Sequence, residues 1–230
     1  MKQSIKIGFI VLFSLGFVAV FGQNTRDVGA FNKISVSTSV KVKLIKANQP
    51  KVEFKMITGD EEDLITKVKN GTLTVKIKSG MLSWSSKSKA SVKVYYTELN
   101  EVDVSAGASV QAEGPIVSDD MNVEVSSGAS ADLEIESEDI DADVSSGARL
   151  RLEGKAESGD FDASSGANLD ASAMVCDNVK ADVSSGARIS VHVNKKLKAD
   201  ASSGGSIRYK GDVDHVDTDS GWSGQIKRMR

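Results

Sequence analysis

The chain is short of the residues that usually carry chemistry or covalent cross-links. Of its 230 residues, one is cysteine and two are histidine. A lone Cys176 excludes an intramolecular disulfide, even in an exported protein. It lies in Ala173-Met174-Val175-Cys176 and reads as a small buried hydrophobe, since a catalytic thiol would want an activating histidine. His192 and His215 stand in no metal-ligand spacing, and His192, between Val191 and Val193, should point outward. No Gly-x-Ser-x-Gly elbow is present, so no serine nucleophile is implied. The one long apolar run, Ile7 to Phe21, is too short for a comfortable membrane span. With Lys2 and Lys6 before it and Val20-Phe21-Gly22 after it, residues 1–22 read as a signal peptide cut before Gln23. No cysteine near that cut supports a lipid-modified N-terminus.

What the chain does have is repetition. Val-Asp-Val-Ser-Ala-Gly-Ala begins at Val102, and Val-Glu-Val-Ser-Ser-Gly-Ala at Val123. Variants follow at Ala142, Phe161, Ala181 and Ala199, with a worn copy, Val-Asp-Thr-Asp-Ser-Gly-Trp, at Val216. The motif glycines are Gly107, Gly128, Gly147, Gly166, Gly186, Gly204 and Gly221. A period near 20 residues signals a stacked solenoid. Positions three and five residues either side of each glycine are apolar or nearly so, and those between are polar. That alternation describes two short strands meeting at the glycine, each with one face inward. The glycine marks a corner, needing either a positive φ or freedom from a Cβ. Stacking such rungs about 4.8 Å apart buries a shared interior. The expected fold is all-β: a right-handed, single-stranded parallel β-helix with a slim core and a pectin-lyase-like shape.

Residues 24–100 carry strand signals without the repeat and should form a β cap with the first coils. Thr66 to Lys78 reads as a hairpin around Asn70-Gly71. Asp60 to Asp63 reads as an acidic loop or a single helical turn running to Ile65, and Gly80 to Ala90 as a mobile loop. Residues 101–222 form the repetitive body, whose far end the worn copy and Trp222 should close, and 223–230 a basic tail. Charge divides lengthwise. Residues 24–97 hold 14 basic and 6 acidic residues; residues 98–220 hold 10 basic and 26 acidic. So acidic a body argues against nucleic acid, whose phosphates it would repel. A basic cap beside an acidic shaft favours end-to-end self-association or an anionic polymer at the cap.

Two columns could carry chemistry. Four residues before each glycine stand Asp103, Glu124, Asp143, Asp162, Asp182, Asp200 and Asp217, which stacking turns into an acidic ladder. Its main reading is a solvated face partly paired with Arg149, Arg151, Lys180 and Arg188; weak calcium binding is the lesser one, because the dense glycine-rich calcium repeat is missing. Ser105, Ser126, Ser145, Ser164, Ser184 and Ser202 form a second ladder, expected to hydrogen-bond from rung to rung.

Phe31-Asn32-Lys33-Ile34-Ser35-Val36, the stretch from Lys51-Val52-Glu53 to Asn70-Gly71-Thr72-Leu73-Thr74-Val75, and the Ser-Ser-Gly-Ala repeats ending in Ser203-Gly204-Gly205-Ser206-Ile207-Arg208-Tyr209-Lys210-Gly211 are together specific. Over nearly all of the mature chain they resemble the bacterial head GIN domain family, known as putative auto-transporter adhesins. The resemblance implies an exported β-helix without catalytic residues and a role in adhesion. The expected function is that of a non-enzymatic cell-envelope protein, in the periplasm or at the cell surface. It has no cofactor, and a repetitive flank binds a surface polysaccharide or an envelope protein. The alternatives are a polysaccharide-active enzyme on the same scaffold and a purely structural module.

Overall fold

The computed structural model describes residues 24–78 and 88–229. The N-terminal leader and most of the loop expected over Gly80 to Ala90 lie outside the described residues. Seven strands precede the repeats: β1 (Asn24–Asp27), β2 (Lys33–Ser37), β3 (Lys41–Lys46), β4 (Lys51–Thr58), β5 (Leu64–Lys69), β6 (Thr72–Ile77) and β7 (Lys89–Tyr96). The body holds β8 (Glu101–Val104), β9 (Ser109–Glu113), β10 (Ile116–Val117), β11 (Asp120–Val125), β12 (Ser130–Val144), β13 (Arg149–Ala163), β14 (Asn168–Val183) and β15 (Arg188–Ala201). It finishes with β16 (Ser206–Lys210), β17 (His215–Ser220) and β18 (Gln225–Arg228). Strand accounts for 69% of the described residues, in a β-solenoid of about seven turns.

Each central rung of the body, β12 to β15, is one long strand with a bend in its middle. In β12, Ala131, Leu133 and Ile135 are buried before the bend, and Ile140, Ala142 and Val144 after it. The bend itself, around Glu138 and Asp139, is exposed. The tight corner follows. Each rung therefore has an entry flank, which runs into the corner, and an exit flank, which leaves it. Pairing is parallel and equivalent residues coincide. Val123, Ala142, Phe161, Ala181 and Ala199 stack on the entry flank. Ala131, Leu150, Leu169, Ile189 and Ile207 stack on the exit flank. Their side chains form one continuous core, each large aliphatic member contributing about 1.5–3 kcal/mol through burial.

The corners are type I′ turns. Ser146 and Gly147 have φ of 53° and 71°, and Ala148 N–H donates to Ser145 O at 3.0 Å. Positive φ at both central residues defines this turn. Gly147 N–H also donates to Ser165 O of the next rung at 3.1 Å, and the same bond recurs at Gly107, Gly128, Gly166 and Gly186. Backbone groups thus carry the corner ladder. The motif serine hydroxyls make no rung-to-rung bonds among the described residues, contrary to expectation, because backbone already satisfies the stack. Of the two reasons for a corner glycine, the dihedral is the operative one: a Cβ on Gly128, Gly147, Gly166 or Gly186 would meet nothing within 4 Å. Gly147→Val should cost about 1–3 kcal/mol through backbone strain. Ser146→Asn should gain about 0.5–1 kcal/mol, since Asn tolerates this conformation better than Ser. Asn70-Gly71 already makes the same turn, with φ of 51° and 76°. Urea midpoints of the two variants check both values.

The cap departs from simple stacking. β2 and β3 join at a further corner, Thr38-Ser39, with φ of 64° and 55° and no glycine. This coil lies between two others that follow it in the chain. β2 pairs with both β6 and β8, and β3 with both β7 and β9. β5 and β4 then lie antiparallel on β6 and β7, β5 and β6 forming the expected hairpin. A 3-10 turn spans Glu61–Asp63, one of the two alternatives expected there, but it stops before Ile65, which already belongs to β5. β1 adds to β4, and Arg26 ties it down. The Arg26 guanidinium donates to Leu64 O, Thr66 Oγ1 and Glu61 O and stacks over Phe54, 4.4 Å from the ring centre. Strands, a hydrogen-bonded staple and an aromatic ring together close this end.

The other end differs from expectation. The worn copy does make a rung, but two residues out of step. Ser220 pairs with Ala201, so Gly221 stands at a serine position and the positive φ falls on Ser223. Residues assigned to a basic tail form β18 on β16. Nor does this rung close the core: every residue of β17 is exposed.

Candidate functional site

The entry flank is where the sequence-predicted acidic residues converge. Register places Glu124 over Asp103, then Asp143, Asp162, Asp182 and Asp200 in turn. The next member is Asp219, not Asp217, because of the two-residue slip in the last rung. From Glu124 to Asp219 these carboxylates line a trench of about 730 Å³, whose corner side is formed by Ser145, Ser164, Ser184 and Ser202. Asp103 lies outside it, accepting a bond from Ser35 Oγ at 2.8 Å.

A second groove of about 690 Å³ runs alongside, nearer the bend. Its floor is apolar, formed by Met121, Ile140, Val179 and Leu197. Through its middle rungs the polar lining changes sign, with Lys33 and Glu101 at one end and His215 and Asp217 at the other. Asp120, Asp139, Asp141 and Asp160 belong to the earlier rungs; Lys180, Lys196 and Lys198 belong to the later ones. This column was not singled out from sequence. It sits two residues before the ladder, outside the recurring motif, although the run Asp139-x-Asp141-x-Asp143 marks it.

Between trench and groove lies the most strongly coupled group of charges. Asp160, Asp162 and Asp182 bring one carboxylate oxygen each within 4.8 Å of one another, the one such cluster among the described residues. Lys180 holds it together, with Nζ 3.1 Å from Asp160 and 3.0 Å from Asp182. Those bonds raise the Lys180 pKa further. Partial burial, then the charges of Asp182, Asp143 and Asp160, push the Asp162 carboxyl up to about 6. Burial, then the charges of Asp143 and Asp160, raise Asp141 as well. Of the expected ladder partners only Lys180 serves. Arg151 pairs with Glu153, and Arg149 and Arg188 stand on the exit flank. The corner glycines Gly107, Gly128, Gly147, Gly166, Gly186 and Gly204 all have positive φ, and none of them lines the trench.

Asp162 has a folded-state pKa above its unfolded value, so the folded chain holds its proton more tightly. This group's contribution to stability is full below about pH 4 and is lost as pH rises through about 6. Asp162→Asn should therefore raise stability at pH 7.5 by about 1 kcal/mol, solvent exposure of the group reducing the full effect. At pH 4 it should change little. Denaturant midpoints at the two pH values test the sign.

Elsewhere, Cys176 is buried, its thiol pushed up to about 12 chiefly by desolvation, so it packs rather than reacts. His192 points outward, its pKa lowered by partial burial and by Lys210. Among the described residues no helix is long and apolar enough to cross a membrane.

Comparison with known proteins bears on the whole arrangement. A protein of Bacteroides fragilis described as a putative adhesin shares 20% identity over 91% of this chain and 98% of its own, with a TM-score of 0.78. Another putative adhesin, from Parabacteroides merdae, shares 19% identity over 91% and 96%, with a TM-score of 0.73. A protein of Parabacteroides distasonis described as a putative lipid binding protein shares 17% identity over 91% and 96%, at 0.69. At these identities the likeness shows a common fold. No curated protein matches in sequence. Residues 30–212 match the family described as putative auto-transporter adhesin, head GIN domain, and the chain is therefore a member of the head GIN domain family.

Proposed function

We propose that this chain is a non-enzymatic, exported envelope protein that binds an extended surface polymer along its entry flank. The observation that carries this reading is the pair of parallel channels spanning successive rungs, with charged side chains repeating at the rung spacing of about 4.8 Å. A polymer lying along the axis meets the same chemistry at every step, so many weak contacts add. The charges select a ligand of mixed sign: cationic groups over Asp143, Asp162 and Asp182, anionic groups toward Lys196 and Lys198. The reading of residues 1–22 as a signal peptide and the adhesin descriptions of the family support a place in the envelope.

The test is retention of the protein on charged glycan arrays and on envelope fractions of its own cell, with Asp143→Asn/Asp182→Asn as comparison. Binding should weaken with the double substitution and in salt above about 0.3 M. No retention on either support, or equal binding by the variant, overturns the reading. A second reading, a polysaccharide-active enzyme, draws on Asp162, which stays protonated to higher pH beside carboxylates held by Lys180. New reducing ends from a polysaccharide panel, lost in Asp162→Asn, would establish it.

A further inference from the structure

We infer that the open end of the solenoid is a dimer interface, filled by the same end of a second copy, with β17 of each chain pairing antiparallel to β18 of the other. This is independent of what the flank binds.

The end rung is unfinished on its outer side. β17 pairs with β15 and β18 with β16, and neither has a second partner among the described residues. The last rung bonds inward through Gly221 N–H to Ala201 O, Gln225 N–H to Gly205 O and Met229 N–H to Tyr209 O. Backbone groups alternate between neighbours along a parallel strand. Those of Val216, Thr218, Ser220 and Ile226 therefore face away from the body, with no strand to meet. Apolar side chains are uncovered too. Val216 is 41% exposed, whereas Leu197 and Val179, its equivalents one and two rungs back, are 1% and 4% exposed. Trp222, at the corner beside this edge, is 97% exposed. The cap end shows what closure looks like in this chain: antiparallel strands plus the Arg26 staple. An edge so long and flat is otherwise a template for pairing with another chain.

Charge identifies the occupant and the pairing. On the outer face β17 carries Asp217 and Asp219 and β18 carries Lys227; Arg228 lies on the face of Ile226 and donates to Gly211 O. Setting β17 on its own copy would oppose carboxylates to carboxylates. Setting it on β18 of the partner opposes these carboxylates to Lys227, twice, by symmetry. A twofold axis across the solenoid axis makes this arrangement antiparallel and brings Val216, Thr218 and Ile226 of both copies into one shared core. The contact is isologous, so it closes at two copies and does not propagate into a fibre. Strands of six and four residues make a small interface, so association belongs in roughly the micromolar range.

Sedimentation equilibrium on the full chain tests this. The unmodified chain should pass from monomer to dimer as concentration rises from about 1 to 100 µM. Thr218→Pro removes an outward N–H while leaving the ladder to β15 intact, and should abolish the dimer. Asp219→Lys should weaken it at least about tenfold, and adding Lys227→Glu should restore it, because the two residues then exchange signs across both halves of the contact. In a Trp84→Phe background, Trp222 emission should shift to the blue as the dimer forms. A monomer at every concentration overturns the inference; that result would leave another protein as the cover. Failure of Lys227→Glu to rescue Asp219→Lys overturns the β17–β18 pairing.

Discussion

Replacing Gly154 by alanine should cost at least about 4 kcal/mol, more than any corner glycine substitution. Gly154 has φ of +112°, and a Cβ built there would lie 2.1 Å from Ile135 O. That oxygen is main chain of the neighbouring rung, in register with Gly154. It cannot retreat without breaking pairing on both sides of the bend. Gly211 is placed alike, with φ of +112° and Val193 O 2.0 Å from its notional Cβ. The Gly147→Ala variant serves as control, since open space surrounds that position and only the dihedral penalty applies. Urea unfolding should give the order Gly154→Ala far below Gly147→Ala. A Gly154→Ala midpoint matching the control would contradict the close approach.

The second large effect lies in the core of the third repetitive rung. Along the entry flank the inward pairs are Ile140 and Ala142 in one rung, Gly159 and Phe161 in the next, Val179 and Ala181 in the one after. Only the middle rung puts its bulk on the second residue. The Phe161 ring, fully buried, leans over Gly159, where a Cβ would come within 2.7 Å of two ring carbons. Phe161→Ala should cost about 3–5 kcal/mol, toward the upper end because Gly159 has no side chain to relax into the space. Gly159→Val alone should overpack and cost about 1–3 kcal/mol. The double variant reproduces the Val179/Ala181 pattern of the next rung and should recover most of the loss. The cycle should therefore show a coupling of at least about 2 kcal/mol. Simple additivity would show that the two positions do not share one volume.

Much of this architecture was legible because the core alternates and the corners repeat. Val-x-Val before Ser-Ser-Gly-Ala names both the inward face and the turn, so the register of Glu124, Asp143 and Asp162 could be read directly. Legibility failed where those two signals part. Thr38-Ser39 makes the same turn without glycine, and only the alternation on either side points to it. In the last rung, Ser220-Gly221 imitates the motif two residues early. A slip of two keeps the same face inward, so alternation cannot detect it; only the turn residues can. Gly154 and Gly211 were unreadable for another reason. Their need arises from a carbonyl in a neighbouring rung, which no local pattern contains. The lengthwise division of charge was visible in the sequence. The ladder four residues before each glycine was visible too; the second charged column, two residues earlier and outside the motif, was not.

The position of the β2–β3 coil has a kinetic consequence. A chain that emerges N-terminus first delivers this coil before either of its neighbours exists: one arrives with Thr72–Ile77, the other with Glu101–Val104. The repeats after Val104 can zip up in the order they appear, each on the one before. The beginning of the molecule cannot. It waits as an unpaired segment, inserted between two later arrivals, and settles only once both have emerged.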